Sequence, residues 1–395
     1  MFSPDQTSIL LGQTLADFSR ARGKHPQSQR PLYQEIFRQG RHINLPAPTR
    51  LLRDPADGTV KFTLPVGQVE QGGALKGLES ESVIIPMTSY RSTMWYTLCI
   101  SSQVGCRMAC SFCETGRMGL IKNLTPGEIV QQRLVARQLR LQPPPPSSPP
   151  APPADAQDPG FKTQDSAPTA VPQHTYFADG IQNIVFMGMG EPLDNFDNLI
   201  GALRVLCEPA GLNFPLAQIA VSTVGRVDGL EKLAALCDRE PAFRNLRLAI
   251  SLNAPTDDLR NVLMPINRAM PLAALKKALR AYPLAPRARF LIEYVLIKDL
   301  NDSPAAAKAV AEFCRDLPCV VNVIPYNPQR FAAYETPGEE TIGAFIHTLK
   351  GEGIFTKRRI THGRDLMSAC GQLGNPEIRR QPHRASATAL PVLPS

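Results

Sequence analysis

No apolar run in these 395 residues approaches the length of a membrane-crossing helix, so no spanning segment is expected. The opening residues, Met1-Phe2-Ser3-Pro4-Asp5-Gln6, carry neither a basic stretch nor an apolar h-region, so no secretory signal is expected. The cysteine count is odd, nine, and without an export signal that disfavours a disulfide framework. These absences point to free thiols in a reducing, cytoplasmic setting. Aromatic residues all but vanish between 142 and 174, where eleven of the 38 prolines lie. Such a composition favours extended polyproline II over packing, and the stretch is expected to be a disordered loop insertion.

The remaining composition is that of a folded chain: 43% of residues are hydrophobic, enough for a substantial core. Lysine and arginine number 43 against 35 acidic residues, a net charge of +8 that suits an anionic partner, nucleic acid first. Much of the excess falls near the C-terminus, on Lys357, Arg358, Arg359, Arg364, Arg379, Arg380 and Arg384, opposed only by Asp365 and Glu377. This run is either a solvated tail or an edge that grips phosphates.

Short apolar runs alternate with helical patterns. Strands are expected over 97–100, 184–187, 219–222, 246–252, 290–296 and 320–324, with helices over 199–206, 229–236, 272–281 and 305–314. A further helix opens at a capping box, with Thr125 as cap, Pro126 in the first turn and Glu128 at the third position. It precedes the Pro-rich stretch, which is therefore read as looping out of one β/α unit. About six such units give an α/β fold, a partial (β/α)6 barrel with its site at the C-terminal ends of the strands. The expected divisions are a small accessory module at 1–75, the barrel at 76–345 and a C-terminal segment at 346–395. In the accessory module a short helix is expected over 31–38, with a β-ribbon over 61–66 and 82–85 leading into the barrel.

The most specific feature is Gly105-Cys106-Arg107-Met108-Ala109-Cys110-Ser111-Phe112-Cys113. A [4Fe–4S] cluster normally takes four thiolates, so three from one loop leave one iron open. S-adenosylmethionine (SAM) can chelate that iron through its amino and carboxylate groups, and electron transfer then starts radical chemistry. A zinc site with an unseen fourth ligand stays open as the alternative, within a non-catalytic metal- and RNA-binding protein.

Five pieces together resemble the RlmN/Cfr family of radical-SAM RNA methyltransferases. They are the run from Thr97 to Cys106 with Cys99; Cys110-Ser111-Phe112-Cys113; Val185-Phe186-Met187-Gly188-Met189-Gly190-Glu191-Pro192-Leu193; Ala249-Ile250-Ser251-Leu252-Asn253-Ala254-Pro255; and Ser368-Ala369-Cys370-Gly371-Gln372-Leu373. The resemblance implies that Cys106, Cys110 and Cys113 hold the cluster. It implies that Gly190, Glu191, Ser222, Ser251, Leu252, Asn253 and Asn327 line the SAM site. It makes Cys370 the cysteine that is methylated, Cys99 its disulfide partner and Glu81 the proton acceptor, with Glu79 a nearby carboxylate. The implied reaction is methylation of C2 of an adenosine in 23S ribosomal RNA, with tRNA as a second candidate. C8 methylation and a radical-SAM reaction on another substrate are the alternatives. The implied partners are RNA and a cellular electron donor such as flavodoxin; a monomer is the default. The chain departs from the family in having Asn253 where histidine is usual and in lacking an arginine just before Gly363. It also has a longer link between Glu81 and Cys99 and a shortened N-terminal module.

Overall fold

The structure, a computed structural model, describes residues 2–67, 77–88, 93–142, 177–329, 333–359, 362–363 and 366–374. Three helices come first: α1 (Pro4–Leu11), α2 (Leu15–Ala21) and α3 (Pro26–Gln34), the last running into a π turn at Glu35–Gln39. Pro26 sits in the first turn of α3, behind the cap His25, so this helix begins earlier than the apolar pattern at 31–38 indicates. Strands β1 (Arg50–Arg53), β2 (Val60–Pro65), β3 (Glu79–Thr88) and β4 (Met94–Cys99) follow as an antiparallel run.

A small hairpin, β5 (Gln103–Cys106) and β6 (Gly119–Asn123), encloses the cysteine loop and the one-turn α4 (Glu114–Arg117). The barrel then continues as α5 (Pro126–Leu141), β7 (Ile181–Phe186), α6 (Phe196–Cys207), β8 (Ile219–Thr223), α7 (Val227–Arg239) and β9 (Arg247–Ser251). It closes with α8 (Asp257–Leu263), α9 (Leu272–Ala281), β10 (Phe290–Leu296), α10 (Pro304–Cys314), β11 (Cys319–Pro325), α11 (Glu339–Gly351) and β12 (Thr356–Arg358). One ten-stranded sheet has the order β1-β2-β3-β4-β7-β8-β9-β10-β11-β12. From β4 to β12 every pairing is parallel, the arrangement of a partial radical-SAM barrel.

All six expected strands are present. β12 is an additional short strand that no hydrophobic pattern marks, because Lys357 and Arg358 are exposed. The Pro-rich stretch leaves the described residues after Gln142, and the chain returns at Phe177, between α5 and β7 as expected.

Two buried polar devices set the frame for the site. The capping box of α5 is formed in both directions, Glu128 N to Thr125 Oγ1 at 3.3 Å and Thr125 N to Glu128 Oε2 at 2.9 Å. One turn on, Gln132 is fully buried; its Oε1 accepts from Ser82 Oγ at 2.7 Å and from Ser101 N at 2.8 Å. Ser101 Oγ in turn donates to the Glu81 carbonyl at 2.6 Å and accepts from Met189 N at 2.9 Å. A fully satisfied network of this kind fixes one arrangement. Here it locks α5, β3 and the loops after β4 and β7 together.

Candidate active site

The cysteine loop starts where β5 ends. Gly105 has φ +73°, and a Cβ there would fall 1.9 Å from the Gly119 carbonyl oxygen, so only glycine lets β5 close on β6. Cys106 and Cys110 are buried and Cys113 is half-buried. Their walls are apolar: Met108, Phe112, Leu259, Leu263, Met264 and Tyr326. Burial pushes all three thiols up, and charge on neighbouring thiols would push Cys106 and Cys110 further.

Backbone N–H groups of Met108, Thr115 and Gly116 oppose that rise at Cys106 and Cys113. At Cys110 the opposing charge is Arg260, itself fully buried and pushed down to about 10 by burial. Arg260 is fastened to the rim carbonyls, Nη2 to Val224 O at 2.6 Å and Nε to Leu252 O at 3.1 Å.

Three soft donors, buried together in dry surroundings beside one fixed cation, suit an iron–sulfur cluster that takes them as thiolates. Among the described residues no three His, Cys, Asp or Glu side chains converge tightly enough to cage a single metal ion. A multi-iron cluster, in which each thiolate takes its own iron, does not require that convergence.

The expected SAM residues all lie at the C-terminal ends of parallel strands. Gly190 and Glu191 follow β7, Ser222 is in β8, Ser251 closes β9 ahead of Leu252 and Asn253, and Asn327 follows β11. Gly190 has φ +101°, and a Cβ there would fall 2.5 Å from Gln103 Cβ. Glu191 is buried, and burial pushes it up to about 7 against N–H groups of Val224 and Leu193, the Thr223 hydroxyl and the Arg226 charge. Ser222 and Ser251 are half-buried and Leu252 is buried.

Asn253 is spent on the scaffold: its Oδ1 accepts from Val295 N at 2.9 Å and its Nδ2 lies 3.6 Å from Met264 Sδ. Asn327 is different. Its Nδ2 donates to the Cys370 carbonyl at 3.3 Å while its buried Oδ1 has no protein partner. An orphaned buried acceptor on this rim fits a ligand that brings donors, as the SAM amino group does.

Cys99 ends β4 and is buried. Burial and Cys370 push it up to about 12, against the Arg359 charge and the Met187 N–H. Cys370, half-buried, lies in segment 366–374, which crosses the rim from the cluster loop to β3. Glu114 N donates to Gly371 O at 2.8 Å, Thr115 Oγ1 to Leu373 O at 2.5 Å and Gln372 Nε2 to Pro328 O at 2.7 Å. At its far end Gly374 N donates to Glu81 Oε2 at 3.1 Å, and Lys61 Nζ pairs with the same carboxylate oxygen at 3.0 Å. Glu79, Glu81 and Glu114 line one cavity with Lys61, Arg50 and Gln372.

No family model matches the chain. A curated protein of Protochlamydia amoebophila, a probable dual-specificity RNA methyltransferase RlmN 1, is 37% identical over 371 residues, 91% of this chain and 90% of its own length. The dual-specificity RNA methyltransferase RlmN of Beijerinckia indica is 40% identical over 80% of this chain and 73% of its own. The chain belongs to the RlmN family of RNA methyltransferases. In the same direction, the crystal structure of a radical SAM methyltransferase from Sphaerobacter thermophilus superposes with a TM-score of 0.73 at 32% identity, covering 92% of this chain and 98% of that one.

As an RlmN-family member the chain is a radical-SAM RNA methyltransferase, and that class implies SAM and a [4Fe–4S] cluster. No helix among the described residues is long and apolar enough to cross a membrane. Arg358 is held by both carboxylate oxygens of Glu339, and Arg359 Nη1 lies 3.5 Å from Met187 Sδ and 3.6 Å from Glu293 Oε2. Lys357 lies over the Phe355 ring. Arg364, Arg379, Arg380 and Arg384 fall outside the described residues. Arg359 and Arg260 are the charged groups of the site that sequence reasoning did not single out. One was hidden in the basic run and the other in a polar helix, Asp257-Asp258-Leu259-Arg260-Asn261.

Proposed function

We propose that the chain methylates C2 of an adenosine in 23S ribosomal RNA, with tRNA as a second substrate, through a methyl group carried on Cys370 and released by Cys99. One observation carries this reading. The segment bearing Cys370 is hydrogen-bonded to the cluster loop and to the loop after β11, and Cys370 is within electrostatic reach of Cys99. A protein that only binds metal and RNA has no use for a second pair of thiols at that point.

Cys106, Cys110 and Cys113 would hold the cluster, and the rim from Gly190 to Asn327 would hold SAM. When bound, these cofactors supply the methyl group and a carbon-centred radical. The roles of the two remaining cysteines follow from their surroundings. Cys370 is partly exposed and able to reach a methyl donor as nucleophile. Cys99, buried and pushed up to about 12, stays a thiol at neutral pH and does not compete for the methyl group. It becomes a nucleophile toward the sulfur of Cys370 only when a base takes its proton. Glu81, fixed between Lys61 and the end of the segment that carries Cys370, is the proton acceptor in this reading.

Residues 1–75 form the accessory module, 76–345 the barrel and 346–395 the segment that carries Cys370. The protein works as a cytoplasmic monomer fed by a flavodoxin-type electron donor.

The test is anaerobic. The protein is reconstituted with iron and sulfide and given methyl-labelled SAM and RNA from cells lacking the activity. The RNA is then digested for nucleoside mass spectrometry. Labelled 2-methyladenosine that disappears in Cys370→Ala is the expected result. Labelled 8-methyladenosine would reassign the ring carbon, and 5′-deoxyadenosine without labelled RNA would reassign the substrate.

A further inference from the structure

Lys61 sits on β2, outside the parallel part of the sheet, and is buried. The β2–β3 register sets Glu81 opposite Thr63, so Lys61 and Glu81 are diagonal neighbours on one face, within reach of a long side chain. Lys61 Nζ pairs with Glu81 Oε2 at 3.0 Å. It has a second partner: the same Nζ donates to the Met367 carbonyl at 2.9 Å. Glu81 Oε2 in turn accepts from Gly374 N at 3.1 Å. Cys370 lies between Met367 and Gly374, so both ends of its segment hang on one ion pair. The turn between β1 and β2 holds the same segment just upstream. Asp57 Oδ2 accepts from Gly363 N at 2.8 Å, and the Gly363 carbonyl accepts from Ser368 Oγ at 2.7 Å and Ser368 N at 3.1 Å.

We propose that Lys61 is a positioning residue for methyl transfer, fixing the segment that carries Cys370 and the carboxylate of Glu81 in one register. An ammonium group brings three donors, and here one goes to the carboxylate and one to the segment's backbone. A buried ion pair adds little net stability over apolar packing of equal volume. What this pair adds is a place for the segment: Lys61 takes its first end, and Glu81, held by Lys61, takes its last. Lys61, Glu81, Met367 and Gly374 accordingly line one small cavity of about 70 Å³. The β-ribbon that precedes the barrel is thereby part of the catalytic assembly and not only an appendage to it.

This inference rests on reading Cys370 as the methyl carrier and Glu81 as the proton acceptor, and it is tested without RNA. Amide hydrogen exchange of the reconstituted full-length protein reads the hold on the segment directly. In Lys61→Met, exchange at Ser368 and Gly374 is expected to rise about tenfold, the ratio set by losing a hydrogen bond to a charged group. Lys61→Arg keeps the charge and should fall between this and wild type. Lys61→Met combined with Glu81→Gln leaves no buried charge unpaired, and the glutamine oxygen can still accept from Gly374 N. That double variant should keep exchange slow at Gly374 and fast at Ser368. If Lys61 were merely structural, removing the unpaired charge would restore slow exchange at both; that result, or unchanged exchange in Lys61→Met, would overturn the proposal. Should Lys61→Met fail to fold, the double variant carries the same test. The second readout is methyl label from SAM on the Cys370 peptide. Its rate should fall about tenfold in Lys61→Met by the same loss, with the half-saturating SAM concentration and the iron content unchanged. An undiminished rate beside raised exchange would also overturn the proposal. No label on Cys370 in the wild type, with the exchange pattern intact, would count against Cys370 as the methyl carrier and leave the clasp in place.

Discussion

The backbone N–H of Glu114, the residue after the last cysteine of the cluster loop, donates to the carbonyl of Gly371, the residue after Cys370, at 2.8 Å. The bond spans 257 positions of sequence and ties the cysteine loop directly to the segment proposed to carry the methyl group. In the proposed reaction this pairing would hold the two segments in one register.

The pin depends on side chains that can be removed singly. Gln372 donates to Pro328 O at 2.7 Å and accepts from Ala369 N at 3.2 Å. Gln372→Ala leaves both groups without a partner, each costing about 1–3 kcal/mol where buried. Methyl label on Cys370 should fall about tenfold or more while iron content stays at the wild-type level. Iron lost together with the label would show that the segment supports the cluster loop itself.

Gly105 has no room for a side chain, since its added Cβ would sit 1.9 Å from the Gly119 oxygen. Gly105→Ala should open the β5–β6 hairpin and lower iron uptake on reconstitution well below wild type. Normal iron content in this variant would mean that the hairpin does not position Cys106.

Glu191 should make stability depend on pH. Burial lifts it to about 7 from an ordinary value near 4.5, so between those values the folded chain keeps a proton that the unfolded chain has lost. Its contribution is therefore present at low pH and lost as pH rises through about 7, a change of about 3 kcal/mol. Denaturant titrations between pH 5 and 8 should show this slope in the wild type and a flatter one in Glu191→Gln. Equal slopes would contradict it.

Below the barrel, Arg133 and Asp179 form a fully buried ion pair at 2.5 Å, with Asp179 also accepting from Ile181 N at 3.0 Å. Asp179→Asn leaves the guanidinium buried without its counter-charge and should cost about 3–5 kcal/mol. The urea midpoint measures this, and an unshifted midpoint would show that water reaches the arginine.

How much was legible in the sequence depended on how local each signal was. The spans of α9 and β10 match the sequence reading because an amphipathic stripe and a short, largely apolar run mark them locally. The cysteine loop was legible because its donors are close in sequence. The position of Arg359 was not, because Glu293 on β10 and Met187 after β7 are far from it in sequence, and only the exposed strand β12 carries it to them. Asn253 reads in sequence as a side chain offered to SAM. In the fold its Oδ1 is used by Val295, and its φ of 56° marks a backbone turn at the rim. The α1 helix escaped notice because its apolar residues do not form a stripe, and only its Ser3–Gln6 capping box marks it.

The central claim is that Cys99 releases RNA from Cys370. The most direct measurement incubates reconstituted Cys99→Ala protein with SAM and radiolabelled RNA, then looks for label that stays with the protein under denaturing conditions. The expected result is RNA covalently joined to the Cys370 peptide, absent from Cys370→Ala. Free methylated RNA formed by Cys99→Ala at the wild-type yield would contradict the claim.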